Sequence, residues 1–225
     1  MTRARAWHLL TFLVAGFALV LQFVLIWRGD HVLDETSSPP LSTRVIRFAS
    51  YLTIWSNALV AWSVATLVLD PLRDGRIWRA LRLNAVVICF GGGVVHFFLL
   101  RPLLDLNGAP LLADRLLHMV VPLLAVVGWV LFGPRDRIPT LAAFLAVPLG
   151  WLAYTLIRGP IVDWYPYPFI DVIEHGYGVV LLNCVGVTAF MLGLYALARW
   201  LDPRLPGVDK EPSVDALGSG GGEVA

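Results

Sequence analysis

Along this chain, six apolar runs of roughly twenty residues each are separated by short polar or proline-rich segments. The runs predict helices over about 7–28, 45–69, 80–101, 114–133, 138–158 and 171–201. Turn and breaker residues punctuate the gaps. Gly29 to Thr43 is a polar loop with Asp30, Asp34, Glu35 and the Pro39-Pro40 pair. Asp70-Pro71, Arg101-Pro102, Asn107-Gly108 and Gly133-Pro134 mark later breaks, and 159–170 is aromatic and proline-rich. The first run follows Arg3 and Arg5, as a signal peptide would. Its apolar core from Leu9 to Trp27 is 19 residues, long for a signal core, and no clear Ala-x-Ala site follows. It therefore reads as an uncleaved spanning helix. From Pro203 the composition turns to glycine, proline and small or charged residues, which predicts a disordered tail over 203–225.

Composition sets the solvent. The 225 residues are 58% hydrophobic, and mean hydropathy is +0.74, too apolar for an ordinary soluble domain. The expected fold class is all-α, a polytopic integral membrane bundle of six transmembrane helices. Net charge is +1, which gives no argument for a nucleic-acid partner. Cys89 and Cys184 lie in apolar runs and read as small packing residues. No CxxC, HExxH, GxSxG or phosphate-loop pattern is present, and the chemistry below calls for no metal or cofactor. Placing the N-terminus inside puts Arg3, Arg5, Arg73, Arg76, Arg79, Arg82, Arg135, Arg137, Arg199, Arg204 and Lys210 on that side, 11 of the 17 basic residues. The bias predicts a cell-membrane protein with both termini cytoplasmic.

Candidate chemistry starts in the second run. Ser50, Thr53 and Asn57 fall on one helical stripe (i, i+3, i+7), with Ser56 beside it. Such a stripe needs shelter from lipid, against protein or a water-filled cavity. In the predicted orientation, helices two, four and six start at the outer surface and helix three ends there. Thr53 is then about 12 Å below the start of its helix. His118 lies about one turn into helix four, and His96 about one turn from the end of helix three. Asp171, Glu174 and His175 occupy the first turn of helix six. Three of the five histidines thus share the depth of Thr53. Gly92, one turn before His96, is expected to let a neighbouring helix come close.

A threonine hydroxyl needs a base before it attacks. A neutral histidine can take that proton near pH 7 and return it to a leaving group. Arg115, three residues before His118, suits an anionic headgroup or an oxyanion. Asn57 is placed to donate to an oxyanion or orient the hydroxyl, and Asp171 or Glu174 to orient a histidine. Each feature also has a structural reading. Membrane threonines bond their own i−4 carbonyl or join helices, and His96 beside glycines suits packing. The acids of helix six favour a helix start, Arg101 and Arg115 suit interface anchoring, and Pro122 and Pro148 suit kinks. Haem would want histidines facing each other across the bundle; three at one depth leave room for one haem at most.

Three short motifs occur in order: Tyr51-Leu52-Thr53-Ile54, His118 followed by Pro122, and Tyr167-Pro168-Phe169-Ile170-Asp171. Together they resemble the six-helix androgen-induced and androgen-dependent integral membrane proteins. They resemble still more the bacterial "Pr-six-Pr" membrane proteins, which share the Thr-x-x-x-Asn pattern seen here as Thr53 to Asn57. The likeness covers the chain from about residue 5 to about 200, without the tail. Pro122 stands one residue closer to its histidine than in the eukaryotic pattern. The eukaryotic relatives are intramembrane threonine hydrolases that cleave fatty acid esters of hydroxy fatty acids. The resemblance implies Thr53 as nucleophile and His118 as base, acting on fatty acyl esters from the outer leaflet. Membrane lipid and a lipid-like ester are the implied partners. Asn57, His96, Arg115, Tyr167, Asp171, Glu174 and His175 are the expected substrate-side residues, and 159–170 the expected gate. The competing expectation is a non-catalytic six-span protein that binds or transports a lipid or small molecule. Transport would want a continuous polar path to the cytoplasmic side, which the sequence does not display.

Overall fold

The computed structural model describes residues 1–29 and 39–206. Most of the polar loop 29–43, and the predicted tail beyond Pro206, lie outside the described residues. The described chain is all-α. Its helices are α1 (Arg3–Arg28), α2 (Leu41–Ser50), α3 (Leu52–Leu69), α4 (Arg76–Val95), α5 (Gly108–Arg115), α6 (Val121–Phe132), α7 (Leu141–Val162) and α8 (Val172–Leu201). Six spans are long and apolar enough to cross a membrane: Arg3–Arg28, Leu52–Leu69, Arg76–Leu103, Gly108–Phe132, Leu141–Val162 and Val172–Arg204. The protein is therefore a multi-span helical membrane protein.

Local signals account for several helix ends. The Thr2 hydroxyl accepts from the Arg5 N–H and caps α1. Gly29, at φ 103°, closes α1 by turning its N–H onto the Leu25 and Ile26 carbonyls. Asp171 caps α8 through the Ile173 and Glu174 N–H groups, so α8 begins one residue later than predicted. Within α8, Gly176 sits at φ 72°, a conformation open to glycine, and bends the first turn away from the rest.

One core joins α1, α3, α4 and α6. It is built from small residues, among them Ala15, Ala18, Ala61, Ala85, Cys89 and Ala125. Small side chains let backbones approach closely where lipid supplies no hydrophobic drive. α4 is the most buried span, and α7 and α8 are the most exposed. Their outward residues, such as Ile157, Leu182 and Val185, suit contact with lipid.

The predicted helix over 45–69 is two helices. The backbone leaves the helical region at Tyr51 (φ −74°, ψ 127°) with no proline or glycine there. A break strands carbonyls at the end of α2 and N–H groups at the start of α3. Indole N–H groups meet two of those carbonyls, Trp55 bonding Ala49 O at 2.7 Å and Trp151 bonding Ser50 O at 2.9 Å. The three-residue stripe thus spans a discontinuity: Ser50 ends α2, while Thr53 lies in the first turn of α3.

Two spans widen into π-turns, at His96–Leu100 and Leu116–Val120. In each, the N–H that closes the wide turn comes from the residue just before a proline: Arg101 to His96 O, before Pro102, and Val121 to Leu116 O, before Pro122. A proline ring clashes with the carbonyl one helical turn back, and widening that turn relieves the clash. Pro122 therefore shapes the turn that carries His118, beyond the simple kink expected of it.

At the opposite end of the bundle, Arg135 is fully buried. Its guanidinium donates to the Trp129 and Val130 carbonyls at 2.7 and 2.6 Å and to Pro206 O at 2.7 Å, and lies 3.4 Å from Asp202 Oδ1. Asp202 Oδ2 in turn accepts from the Asp136 N–H at 2.7 Å. This network ties the 133–137 turn to the end of α8. Nearby, the Arg79 guanidinium holds the Asp74 carboxyl well below the usual carboxylate range, with Arg137 adding to the effect.

Candidate active site

The break at Tyr51 makes Thr53 the second residue of α3. Its N–H has no carbonyl partner within the helix and donates to the Tyr167 hydroxyl oxygen at 3.2 Å. Thr53 Oγ1 lies 3.2 Å from the same Tyr167 hydroxyl and 3.3 Å from His118 Nε2. The other ring nitrogen, His118 Nδ1, lies 3.0 Å from Asp114 Oδ1 and 3.0 Å from the Asp114 carbonyl. These contacts admit one consistent direction of donation. Tyr167 O–H donates to Thr53 Oγ1, Thr53 O–H to His118 Nε2, and His118 Nδ1–H to Asp114. The tautomer is assigned from this network.

Asp114 and His118 are one turn apart (i, i+4), which sets the carboxylate behind the ring. His96 stacks on His118, with ring centroids 3.6 Å apart and planes 4° from parallel. His96 Nε2 lies 2.9 Å from Asp114 Oδ1 but out of line for a hydrogen bond. Arg101 approaches the other carboxylate oxygen at 3.8 Å.

The close approach of the α4 helix to the His118 turn depends on Gly93. A Cβ there would run into the His118 carbonyl oxygen, whereas one on Gly92 would meet open space. The glycine that admits the neighbouring helix is thus one residue past the predicted one.

Tyr167 is held by a cluster of rings. Tyr51 and Trp151 lie 5.7 and 5.8 Å from it, and Phe169 stacks on it at 5.5 Å. Burial pushes its phenol above the ordinary tyrosine range, so it remains a donor through neutral pH.

Asn57 is fully buried, and its amide donates to Thr53 O at 2.8 Å and Leu117 O at 3.2 Å. It fixes the backbone of Thr53 to the helix carrying His118, and its N–H groups are turned away from the hydroxyl. Ser50 and Ser56 bond backbone carbonyls of their own helices, Ile46 O and Thr53 O.

Four predicted substrate-side residues stand apart from this group. Arg115 is exposed. Asp171 is committed to capping α8. Glu174 and His175 pair loosely at 3.9 Å, and His175 borders a groove between α8 and the end of the third span, lined by Leu99, Leu103 and Val179. Depth alone grouped His175 with Thr53 without regard to direction around the helix, and the helix is broken at Gly176, directly after His175. Asp114, in contrast, is a site residue that the sequence analysis missed. Its i, i+4 spacing to His118 was the available signal.

His96, Asp114 and His118 could hold a metal ion by residue type, with ligand atoms within 4.8 Å of one another. Parallel stacked rings aim their nitrogen lone pairs along parallel lines, so a shared ion needs one ring to turn. The 3.6 Å stacking also leaves no space for a haem between the two rings.

Two cavities meet at the Thr53–His118 pair. The outer one, of about 70 Å³, is bordered by Gln22, Phe48, Leu104, Leu106, Pro110 and Asp114 as well as the pair. A water needs only about 10–15 Å³, so the cavity has room for water beside Thr53 and His118. The inner one runs below them past Asn57, Cys89, Gly92 and Trp151. No family model matches the chain, and no curated protein or solved structure is similar to it.

Proposed function

We propose that this chain is an intramembrane lipid-ester hydrolase with Thr53 as nucleophile. The observation that carries the reading is the alignment of Thr53 Oγ1, the His118 ring and Asp114, with contacts of 3.3 and 3.0 Å. A hydroxyl, an imidazole and a carboxylate in that order define the triad logic of acyl transfer, recognised by geometry and not by fold. The motif resemblance to intramembrane threonine hydrolases points the same way.

In the proposed reaction, His118 Nε2 takes the hydroxyl proton as Thr53 Oγ1 attacks the ester carbonyl carbon. The carbonyl electron pair moves onto oxygen. The Thr53 N–H and the Tyr167 O–H are the donors nearest to that oxyanion, and the N-terminal end of α3 favours negative charge there. Collapse breaks the bond to the leaving alcohol, which receives the proton from His118. A water from the outer cavity then gives a proton to His118 and attacks the acyl-threonine, and collapse breaks the bond to Thr53 Oγ1, which takes that proton back from His118 as the acid leaves. Asp114 holds the ring with Nδ1 protonated and stabilises the imidazolium between the two transfers.

The orientation that places this site in the outer leaflet, with both termini cytoplasmic, belongs to the same proposal and rests on the arginine bias. The test is labelling by a fluorophosphonate together with hydrolysis of a fatty acyl ester by purified protein. Labelling at Thr53, lost in Thr53→Ala along with hydrolysis, is the expected result. Labelling and turnover that persist in Thr53→Ala overturn the assignment.

A further inference from the structure

The inner cavity adjoins a third one. The two share Leu52, Ile88, Trp151, Phe169, Val187 and Met191 as walls. Beyond them the third cavity is bordered by Phe144, Pro148, Leu149 and Thr188, between α7 and α8. Phe144 and Trp151 are two turns apart on α7, so this arm descends about 10 Å along the helix axis. Its lining is almost wholly apolar, with only the Cys184 thiol and the Thr188 hydroxyl to interrupt it. The outer cavity differs in kind. It adds Gln22 and Asp114 to its lining and opens among the loop residues Leu104, Leu106 and Pro166.

We propose that the two adjoining inner cavities form the seat of one unbranched acyl chain, with Val187 and Phe169 at its neck and Phe144 and Pro148 at its floor. The inference rests on Thr53 as nucleophile and adds the side from which each half of the ester is held. An acyl group bound to Thr53 must leave His118 Nε2 open to the departing alcohol and then to water. Water and a polar alcohol fit the outer cavity, which touches Asp114. A hydrocarbon tail fits the dry arm, where it leaves no polar group unpaired. The depth of the floor then limits chain length, because a close-packed wall resists extra methylenes.

Two measurements test this on the full chain in lipid nanodiscs. The first uses Thr53→Ala and palmitic acid carrying a diazirine at its methyl end. Crosslinks on 144–152 or 184–191, competed by plain palmitate, are expected. Crosslinks confined to 100–110 or 164–167, or labelling that plain palmitate does not compete, overturn the proposal. The second compares butyrate and palmitate esters of one chromogenic alcohol. Val187→Trp is expected to lower palmitate hydrolysis by about tenfold or more and butyrate hydrolysis by less than about twofold. Leu152→Ala, which only removes bulk from the wall, is expected to move the preference toward chains longer than wild type takes. An unchanged chain-length profile in both variants overturns the seat. If wild-type protein hydrolyses neither ester, the hydrolase reading fails, and the crosslink map alone decides whether the arm holds an acyl chain.

Discussion

Asp114 Oδ1 lies 3.0 Å from His118 Nδ1, one helical turn away on the same span, and 2.9 Å from His96 Nε2 on the neighbouring span. One buried carboxylate therefore lies beside two stacked imidazoles, and of the two only His118 is aligned with it and reaches Thr53. A carboxylate in this position is affordable inside the bilayer because histidines and Arg101 surround it.

Asp114→Asn keeps the size of the side chain but removes its charge and lets the amide donate, which favours the wrong tautomer of His118. The expected loss in kcat is about 10²–10⁴-fold, with KM little changed. Ester hydrolysis beside a thermal unfolding scan checks it. A variant with normal kcat would show that Asp114 is structural.

Tyr167→Phe removes one donor from the proposed oxyanion site and leaves the ring cluster in place. A fall in kcat of about 10–10³-fold is expected, with intact folding. Because the Tyr167 phenol is pushed above the ordinary tyrosine range, wild-type activity should hold steady as pH rises through about 10, where an ordinary tyrosine ionises. A pH–rate profile with an alkaline limb that vanishes in Tyr167→Phe would contradict this.

Gly93→Ala and Gly92→Ala should behave differently although they are neighbours. The Cβ at 93 meets the His118 carbonyl oxygen and must push two helices apart, at a cost of about 1–3 kcal/mol and with displacement of His118. The Cβ at 92 enters open space and should leave the melting temperature unchanged. Thermal unfolding and ester hydrolysis of the pair in detergent give the comparison.

Asp202→Ala leaves the Arg135 guanidinium buried without its carboxylate, a loss of about 3–5 kcal/mol. The site lies at the other end of the bundle, so kcat at low temperature should stay near wild type while the melting temperature falls. Equal loss of both would mean that the 133–137 turn is coupled to Thr53.

Hydrophobic runs and their punctuation were enough for the all-α class and for six spans, because helix length in a bilayer is set by hydrocarbon thickness and backbone hydrogen bonding. Motif order also singled out Thr53, His118 and Tyr167, and the fold brings the last two onto the Thr53 hydroxyl. What the sequence could not carry was the direction of each side chain around its helix. Asp114, His96 and His118 converge because Gly93 lets two helices touch and two prolines widen the turns beside the histidines. Arg115 and His175, expected at the same depth, are exposed instead. The break at Tyr51 has no proline or glycine behind it; Trp55 and Trp151 satisfy the carbonyls it frees and Tyr167 meets the Thr53 N–H. Of Trp151 and Tyr167, each is about a hundred residues or more from its partner in the chain. The tertiary structure alone therefore turned a threonine in the middle of a predicted helix into one at a helix N-terminus, where its N–H is left unpaired by the helix and its hydroxyl faces a base.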